Sequence, residues 1–250
     1  ESKKARMLER AADYYKKGEF EKARIEYQNV LQTHPDDLTA NERLAMIWFD
    51  RGATIRAMAY LSKMQTLAPG DLNLRLKRAQ LISALGRPAE ARREAQAILE
   101  RSTAIAEALL LLTDTVRDTE DFKVVDGIVQ KFPERNTVPF HLASANLLML
   151  RGDQEGAKAA IQRAVSVDTK SALAHTALAS LHVAQRNPAL AVAEFKKAAE
   201  LAPPRSPERL KYPSYLAQSG STAEAITLLT EITKQTPDYQ PAWRLLAQIA

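Results

Sequence analysis

The feature that most constrains this sequence is a pattern of glycine, alanine and proline that returns every 34 residues. The first copy has a glycine, an alanine five residues later, and a proline near the end of the unit. A recurrence of this length is typical of a solenoid, in which short units stack side by side. The members of the pattern, in two series, are Gly18, Ala23, Pro35, Gly52, Ala57, Pro69, Gly86, Ala91, Gly152, Ala157, Ala191, Pro203, Gly220, Ala225 and Pro237.

Each unit is predicted to be a pair of helices. Gly18 makes the turn between them, and Ala23 and Tyr27 then lie four residues apart, which places them on one face of the second helix. The alanine allows a neighbouring helix to approach closely, and the aromatic ring fills the space beside it. Pro35 ends the second helix, because proline has no N–H to donate to the helix.

Composition agrees with packed helices and excludes several classes of function. Hydrophobic residues make up 46% of the chain, and there is no cysteine. Disulfides, thiol nucleophiles and thiolate metal sites are therefore absent. The net charge of +5 comes from interleaved charges of both signs, which indicates a solvated helix surface rather than a nucleic-acid stripe. No apolar run reaches the ~18 residues that a membrane span needs.

The repeated residues resemble the tetratricopeptide repeat, whose pattern is W-x2-L-G-x2-Y, then A-x3-F, then P, on a 34-residue period. The second repeat carries this resemblance with Leu44, Ala45, Trp48, Gly52, Ala57, Leu61 and Pro69. The resemblance implies an all-α fold, a right-handed helical-repeat solenoid. This superhelix would contain about seven helix-turn-helix repeats plus one terminal helix.

The repeats are predicted to form a single solenoid over residues 1–250. We expect repeats at about 4–37, 38–71 and 72–105, a degenerate repeat at 106–137, repeats at 138–171, 172–205 and 206–239, and a partial repeat at 240–250. The degenerate repeat has neither the turn glycine nor the usual alanine, and its helices are predicted at 104–117 and 121–132. In the seventh repeat, Ser221 and Glu224 have the spacing of a capping box.

The resemblance also implies a binding groove, lined mainly by the first helix of each repeat. Tyr15, Met46 and Phe49 are expected to be the main contacts, because they are large side chains in adjacent repeats. Asn146 and Gln80 have amide groups that can both donate to and accept from a peptide backbone. The predicted groove residues are Tyr15, Met46, Phe49, Leu76, Gln80, Asn146, Met149, Thr176 and Ser180.

No catalytic, cofactor or metal site is predicted. The chain has no zinc-protease, phosphate-loop, dinucleotide or nucleophile-elbow motif. The closest pair of histidines on one predicted helix, His175 and His182, is separated by ~10 Å along the helix, too far to chelate one ion. Chaperone-binding relatives use a lysine and asparagine clamp, but this chain has Leu8, Ala12 and Arg43 at the matching positions.

The predicted function is therefore a non-enzymatic scaffold that binds a protein or peptide in its groove. Two alternatives are an RNA-binding helical-repeat protein and a non-catalytic module of a larger enzyme; nucleic acid is not an expected partner of the scaffold. The links between repeats resemble those of bacterial proteins in secretion, export or envelope assembly. This favours the periplasm or the outer membrane, with the cytoplasm as the alternative location.

The two ends of the sequence give a further expectation. The chain starts at Glu1 without a methionine, and Trp243, Leu246 and Ala247 begin an eighth unit that stops at Ala250. We expect the sequence to be a piece of a longer protein. An uncovered helix at residues 240–250 would then promote weak self-association.

Overall fold

The computed structural model describes residues 3–250, and this part of the chain is all-α, with fifteen helices. It forms two compact units, divided between Gly86 and Arg87. In the first unit the helices are α1 Lys3–Lys16, α2 Phe20–Thr33, α3 Leu38–Asp50, α4 Thr54–Leu67 and α5 Leu72–Ala84. Consecutive helices pack against one another, with the closest pairs α1–α2 and α3–α4.

The second unit contains ten helices among the described residues. They are α6 Pro88–Arg101, α7 Ala108–Asp114, α8 Thr119–Lys131, α9 Val138–Leu150, α10 Gln154–Val167, α11 Ala172–Ala184, α12 Pro188–Leu201, α13 Pro207–Gln218, α14 Thr222–Gln235 and α15 Gln240–Ile249. We call α1, α3, α5, α7, α9, α11 and α13 first helices and the helix after each its second helix. The expected all-α helical-repeat fold is confirmed, while a single continuous solenoid and its repeat boundaries stay a prediction.

The recurring glycines end the first helices in a left-handed conformation. Gly18, Gly52, Gly152 and Gly220 have φ between +69° and +93°. At each, the next residue donates its N–H to a carbonyl five residues back, as Glu19 does to Tyr14 at 2.9 Å. This is the Schellman arrangement, in which hydrogen bonds around a left-handed residue satisfy the last carbonyls of a helix. Glycine is preferred there because it has no Cβ to clash.

The recurring alanines lie where the helices cross. Ala23 and Ala57 in the first unit, and Ala157, Ala191 and Ala225 in the second, have no exposed surface. Helix axes packed this closely leave room for a methyl group and little more, since protein interiors are close-packed. The alanine pattern therefore selects the crossing geometry of each helix pair.

The degenerate repeat differs from its prediction. Its first helix, α7, covers only Ala108–Asp114 instead of 104–117. Local side-chain bonds compete with the helix at both ends: Ser102 accepts from the N–H of Ala104 at 3.2 Å, and Thr115 donates to the carbonyl of Leu112 at 2.7 Å. Serine and threonine offer the backbone such alternatives, which shortens helices.

An arginine holds the α7–α8 connection in the absence of a turn glycine. Arg92 of α6 donates to the carbonyl of Thr115 at 3.2 Å and pairs with the carboxylate of Asp121 at 2.5 Å. The Arg92 guanidinium is the main cause that lowers the pKa of Asp121. One side chain therefore ties the start of α8 to the helix before α7.

The predicted capping box in the seventh repeat is wrong. Ser221 is the N-cap of α14, but its side chain makes no cap hydrogen bond. The carboxylate of Glu224 accepts instead from the hydroxyl of Tyr212 on α13, at 3.2 Å. The caps that do form are mainly on first helices, where Asp37, Asp71 and Ser171 each accept from a backbone N–H three residues later.

The sixth repeat gives a test of the turn. Arg186 occupies the glycine position with φ +56° and forms the same hydrogen bonds, because Asn187 donates to His182 at 2.9 Å. A non-glycine residue in the left-handed conformation costs roughly 1–2 kcal/mol. Glycine removes this strain, but it also gives the unfolded chain more conformational freedom, which offsets part of the gain in stability. Arg186→Gly should therefore raise the free energy of unfolding by about 0.5–1 kcal/mol in urea titration. Gly152→Arg, the matched reverse change, should lower it.

Candidate binding surface

The predicted contacts of the first unit lie together on its first helices. Tyr15 is near the end of α1, and Met46 and Phe49 are one turn apart on α3. All three are partly buried and pack against the same apolar cluster, which contains Ala11 and Leu44. The Tyr15 ring also meets Phe20 edge-on, with centroids 5.3 Å apart. These side chains are therefore part of the packing of the unit as well as part of its surface.

Two cations lie on these aromatic rings. The guanidinium of Arg43 on α3 is 5.1 Å from the centre of the Tyr15 ring, and the ammonium of Lys77 on α5 is 4.4 Å from that of Phe49. Cations over aromatic faces are attracted by the ring quadrupole. Among residues 3–250, neither cation has an ion-pair contact with a carboxylate. This face of the first unit is therefore partly cationic.

The arrangement repeats with the period of the fold. Phe49 follows Tyr15 by 34 residues, and Lys77 follows Arg43 by 34 residues. Each ring on one first helix is thus covered by a cation from the next first helix. Arg43 and Lys77 were not predicted as binding residues, although their matching spacing is visible in the sequence. We call Tyr15, Arg43, Phe49 and Lys77 the aromatic–cation ladder.

The other two predicted residues of the first unit lie on α5 and differ in exposure. Leu76 is 7% exposed, so it offers a partner little surface. Gln80, one turn later, is exposed. Of these two side chains, only the amide of Gln80 is accessible to a peptide backbone.

In the second unit the predicted residues are uncharged and lie on α9 and α11. Asn146 on α9 is exposed and donates to the hydroxyl of Thr113 on α7 at 3.0 Å. Met149, one turn after Asn146, is 42% exposed. On α11 the hydroxyls of Thr176 and Ser180 both donate to carbonyls of their own helix. Their oxygens remain able to accept a hydrogen bond from a partner.

One carboxylate of this unit has a shifted pKa. The Asp114 side chain at the end of α7 is exposed, yet the surrounding protein raises the pKa of Asp114 by desolvation. Arg117 and Lys211 of α13 oppose the shift and lower the pKa. The charges of Arg117 and Lys211 therefore act on the carboxylate at the end of α7.

His175 is a packing residue. His175 is 1% exposed, with Nδ1 2.6 Å from the carboxylate of Glu194 and Nε2 3.0 Å from the carbonyl of Thr169. It joins α11 to α12 and to the loop before α11. Within the described residues, no group of three or more histidine, aspartate or glutamate side chains is arranged to hold a metal ion.

Comparison with known families agrees with this architecture. A sequence profile of the tetratricopeptide repeat matches residues 8–71 and 142–206, together just over half of the chain. The chain belongs to the tetratricopeptide repeat family, whose members generally bind other proteins. A search of curated protein sequences gave no significant match. In the described part of the chain, no helix has the length and apolarity that a bilayer crossing requires.

Solved structures share the fold at low sequence identity. A tetratricopeptide repeat protein from Parabacteroides merdae is 16% identical, with a TM-score of 0.59, and each chain covers 98% of the other. A chain of the Cut9–Hcn1 hetero-tetramer of the APC/C is 14% identical, with a TM-score of 0.58. The match covers 96% of the present chain and 48% of that chain. Both similarities concern the fold alone.

The two components of the ladder should differ in their effect on stability. Tyr15→Ala and Phe49→Ala remove rings packed on the apolar cluster and should each lower the free energy of unfolding by about 1.5–3 kcal/mol. Arg43→Gln and Lys77→Gln remove only the cation–π contact and should each cost about 0.5–1 kcal/mol. Urea titration of the four variants measures the difference. Equal losses from rings and cations would contradict this division of roles.

Proposed function

We propose that this protein is a non-catalytic scaffold that binds an acidic segment of a partner protein on its first helices. The observation that carries the proposal is the aromatic–cation ladder of the first unit. Its two cations are half-buried, lie on aromatic rings and have no carboxylate partner in the described residues. Carboxylates of the partner would form ion pairs with both cations. Charge-assisted hydrogen bonds of this kind are stronger than neutral ones.

The remaining predicted residues fit an extended peptide beside this anchor. Met46 and the edges of Tyr15 and Phe49 supply apolar surface, and Gln80 supplies a donor and an acceptor. In the second unit, Asn146, Met149, Thr176 and Ser180 are proposed to bind further along a partner. Leu76 is proposed to act by supporting its neighbours, because it is buried.

The proposed setting is a bacterial envelope assembly, secretion or export system. It rests on the resemblance of the links between repeats to those of bacterial proteins of this type. Self-association through α15 is also proposed. Trp243 on this helix is 48% exposed, although Leu245, Leu246 and Ile249 pack against the preceding helix pair.

The proposal is tested by identifying and then measuring the partner. Proteins that co-purify with the wild-type chain are identified, and the affinity of the main one is measured by titration. Arg43→Gln/Lys77→Gln should weaken this affinity about tenfold or more, because two charged contacts are lost. It should also reduce the dependence of binding on salt.

A matched control keeps the charge change and moves its position. Arg6 on α1 and Lys197 on α12 are exposed, and Arg6→Gln/Lys197→Gln should leave the affinity within about twofold, as expected for charges outside the contact. Equal weakening by both double variants would show that net charge alone matters and would overturn the ladder. If RNA co-purifies with the wild-type chain and no longer does so with Arg43→Gln/Lys77→Gln, the RNA-binding alternative is favoured.

A further inference from the structure

The second unit contains a cleft between α8 and α9. Helix α9 also carries Asn146 and Met149, but neither of these residues lines the cleft. One chamber has a volume of about 360 Å³ and is lined mainly by Val129, Phe140, Leu147 and Leu148. A second chamber of about 370 Å³ is lined mainly by Val116, Phe122 and Leu150. Arg151 lines both chambers, so they adjoin.

Each chamber of the cleft at the degenerate repeat is larger than the pocket beside the α12–α13 junction, which has a volume of about 210 Å³. The junction of a second helix with the next first helix also occurs at α4–α5, where the corresponding cavity is only about 10 Å³. There Leu61, Met64 and Leu74 fill the space. At α8–α9 the helices pack less extensively. The stacked rings of Phe132 and Phe140, 6.3 Å apart, lie between the end of α8 and the start of α9.

Arginines lie at both chambers of the cleft. Arg135 donates to the carbonyls of Gln130 and Phe132, and Arg117 donates to those of Asp114 and Val116. Arg135 has no ion-pair contact with a carboxylate among residues 3–250. The positive charge of Arg117, in contrast, stabilises the carboxylates of Asp114 and Asp121, and its backbone N–H donates to Asp121 at 3.1 Å. The acid beside the first chamber, Asp126, is already paired with Arg151 at 2.8 Å.

The Asp126–Arg151 pair lies where the two chambers adjoin. Asp126 also accepts from the amide of Gln130 at 2.7 Å, and the Arg151 guanidinium lies over the Phe122 ring at 5.3 Å. These contacts satisfy the charges at the centre of the cleft. At the second chamber the exposed Asp118 lies beside Arg117 in the lining. The positive charge available to a ligand is therefore at the first chamber, where Arg135 is exposed.

We propose that the α8–α9 cleft is a second binding site, which takes a partner-protein segment with two large apolar side chains and an acidic residue beside the one that enters the first chamber. One apolar side chain enters each chamber, whose volumes fall within the ~300–1,000 Å³ usual for ligand pockets. The carboxylate of this acidic residue pairs with Arg135. This site is separate from the aromatic–cation ladder and does not depend on it.

The experiment uses a fluorescein-labelled peptide, acetyl-Asp-Glu-Leu-Phe-Asp-Glu-amide, as the probe, titrated with the whole chain and read by fluorescence anisotropy. Two matched peptides replace all four acids with lysine or replace Leu-Phe with Ser-Ser. The acidic apolar peptide should bind, and each replacement should weaken binding by about tenfold or more, since either the charges or the apolar contacts are lost.

Variants of the chain then locate the site. Arg135→Gln should weaken binding of the acidic apolar peptide about tenfold, and Ser144→Phe, which places a ring in the first chamber, should weaken it at least as much. The control Arg93→Gln makes the same charge change at an exposed arginine of α6 and should have no effect. Circular dichroism shows whether each variant is folded. If Ser144→Phe does not fold, the arginine variant alone is sufficient to locate the site.

The outcomes separate this proposal from the one for the ladder. Binding that is lost in Arg43→Gln/Lys77→Gln and retained in both cleft variants would overturn the cleft and leave the ladder intact. The cleft is supported by the reverse pattern. No binding of the acidic apolar peptide, or stronger binding of dodecanoate than of the peptide at the cleft, would also overturn the assignment of a peptide segment.

Discussion

Hydrogen bonds around one left-handed residue at the end of a first helix determine how the chain turns into the second helix. The residue after the turn donates to a carbonyl five positions back, and the second helix then starts beside the first. The turn brings the second helix back alongside the first. The fully buried alanines then determine how closely the two helices pack. Side chains on the first helices are then repeated at a fixed spacing. The aromatic–cation ladder is a consequence of that repetition.

The degenerate repeat shows what happens when the turn residue and the alanine are missing. A side chain from the preceding helix, Arg92, takes over the connection by binding a carbonyl of the loop and the carboxylate of Asp121. The helices remain stacked, but α8 and α9 do not close on each other. The departure from the repeat therefore creates the cavity that the regular α4–α5 junction lacks.

The regular part of the fold could be predicted from sequence because its constraints are local. A glycine at a left-handed turn and an alanine at a helix crossing act through their own geometry, so their spacing is sufficient. The length of α7 could not be predicted, because side-chain bonds of Ser102 and Thr115 compete with the helix. The same reason applies to Glu224, which bonds Tyr212 of another helix instead of its own N-terminus.

Only part of the candidate site could be predicted from the sequence. The phase of the repeat placed Tyr15, Met46 and Phe49 on one surface, and the structure brings them together. The phase could not show that Arg43 and Lys77 would lie on the rings, since this depends on the distance between helices in neighbouring repeats. It also could not show that Leu76 is buried while Gln80 is exposed.

The first helices are proposed to carry the partner-binding surface of the first unit. Hydrogen–deuterium exchange of the whole chain, with and without its co-purified partner, measures which helices a partner covers. Partner-dependent protection should concentrate in α1, α3 and α5, around Tyr15, Phe49 and Lys77, and should be weak in α2 and α4. Protection concentrated in α2 and α4, with α1, α3 and α5 unchanged, would show that the partner binds the second helices instead.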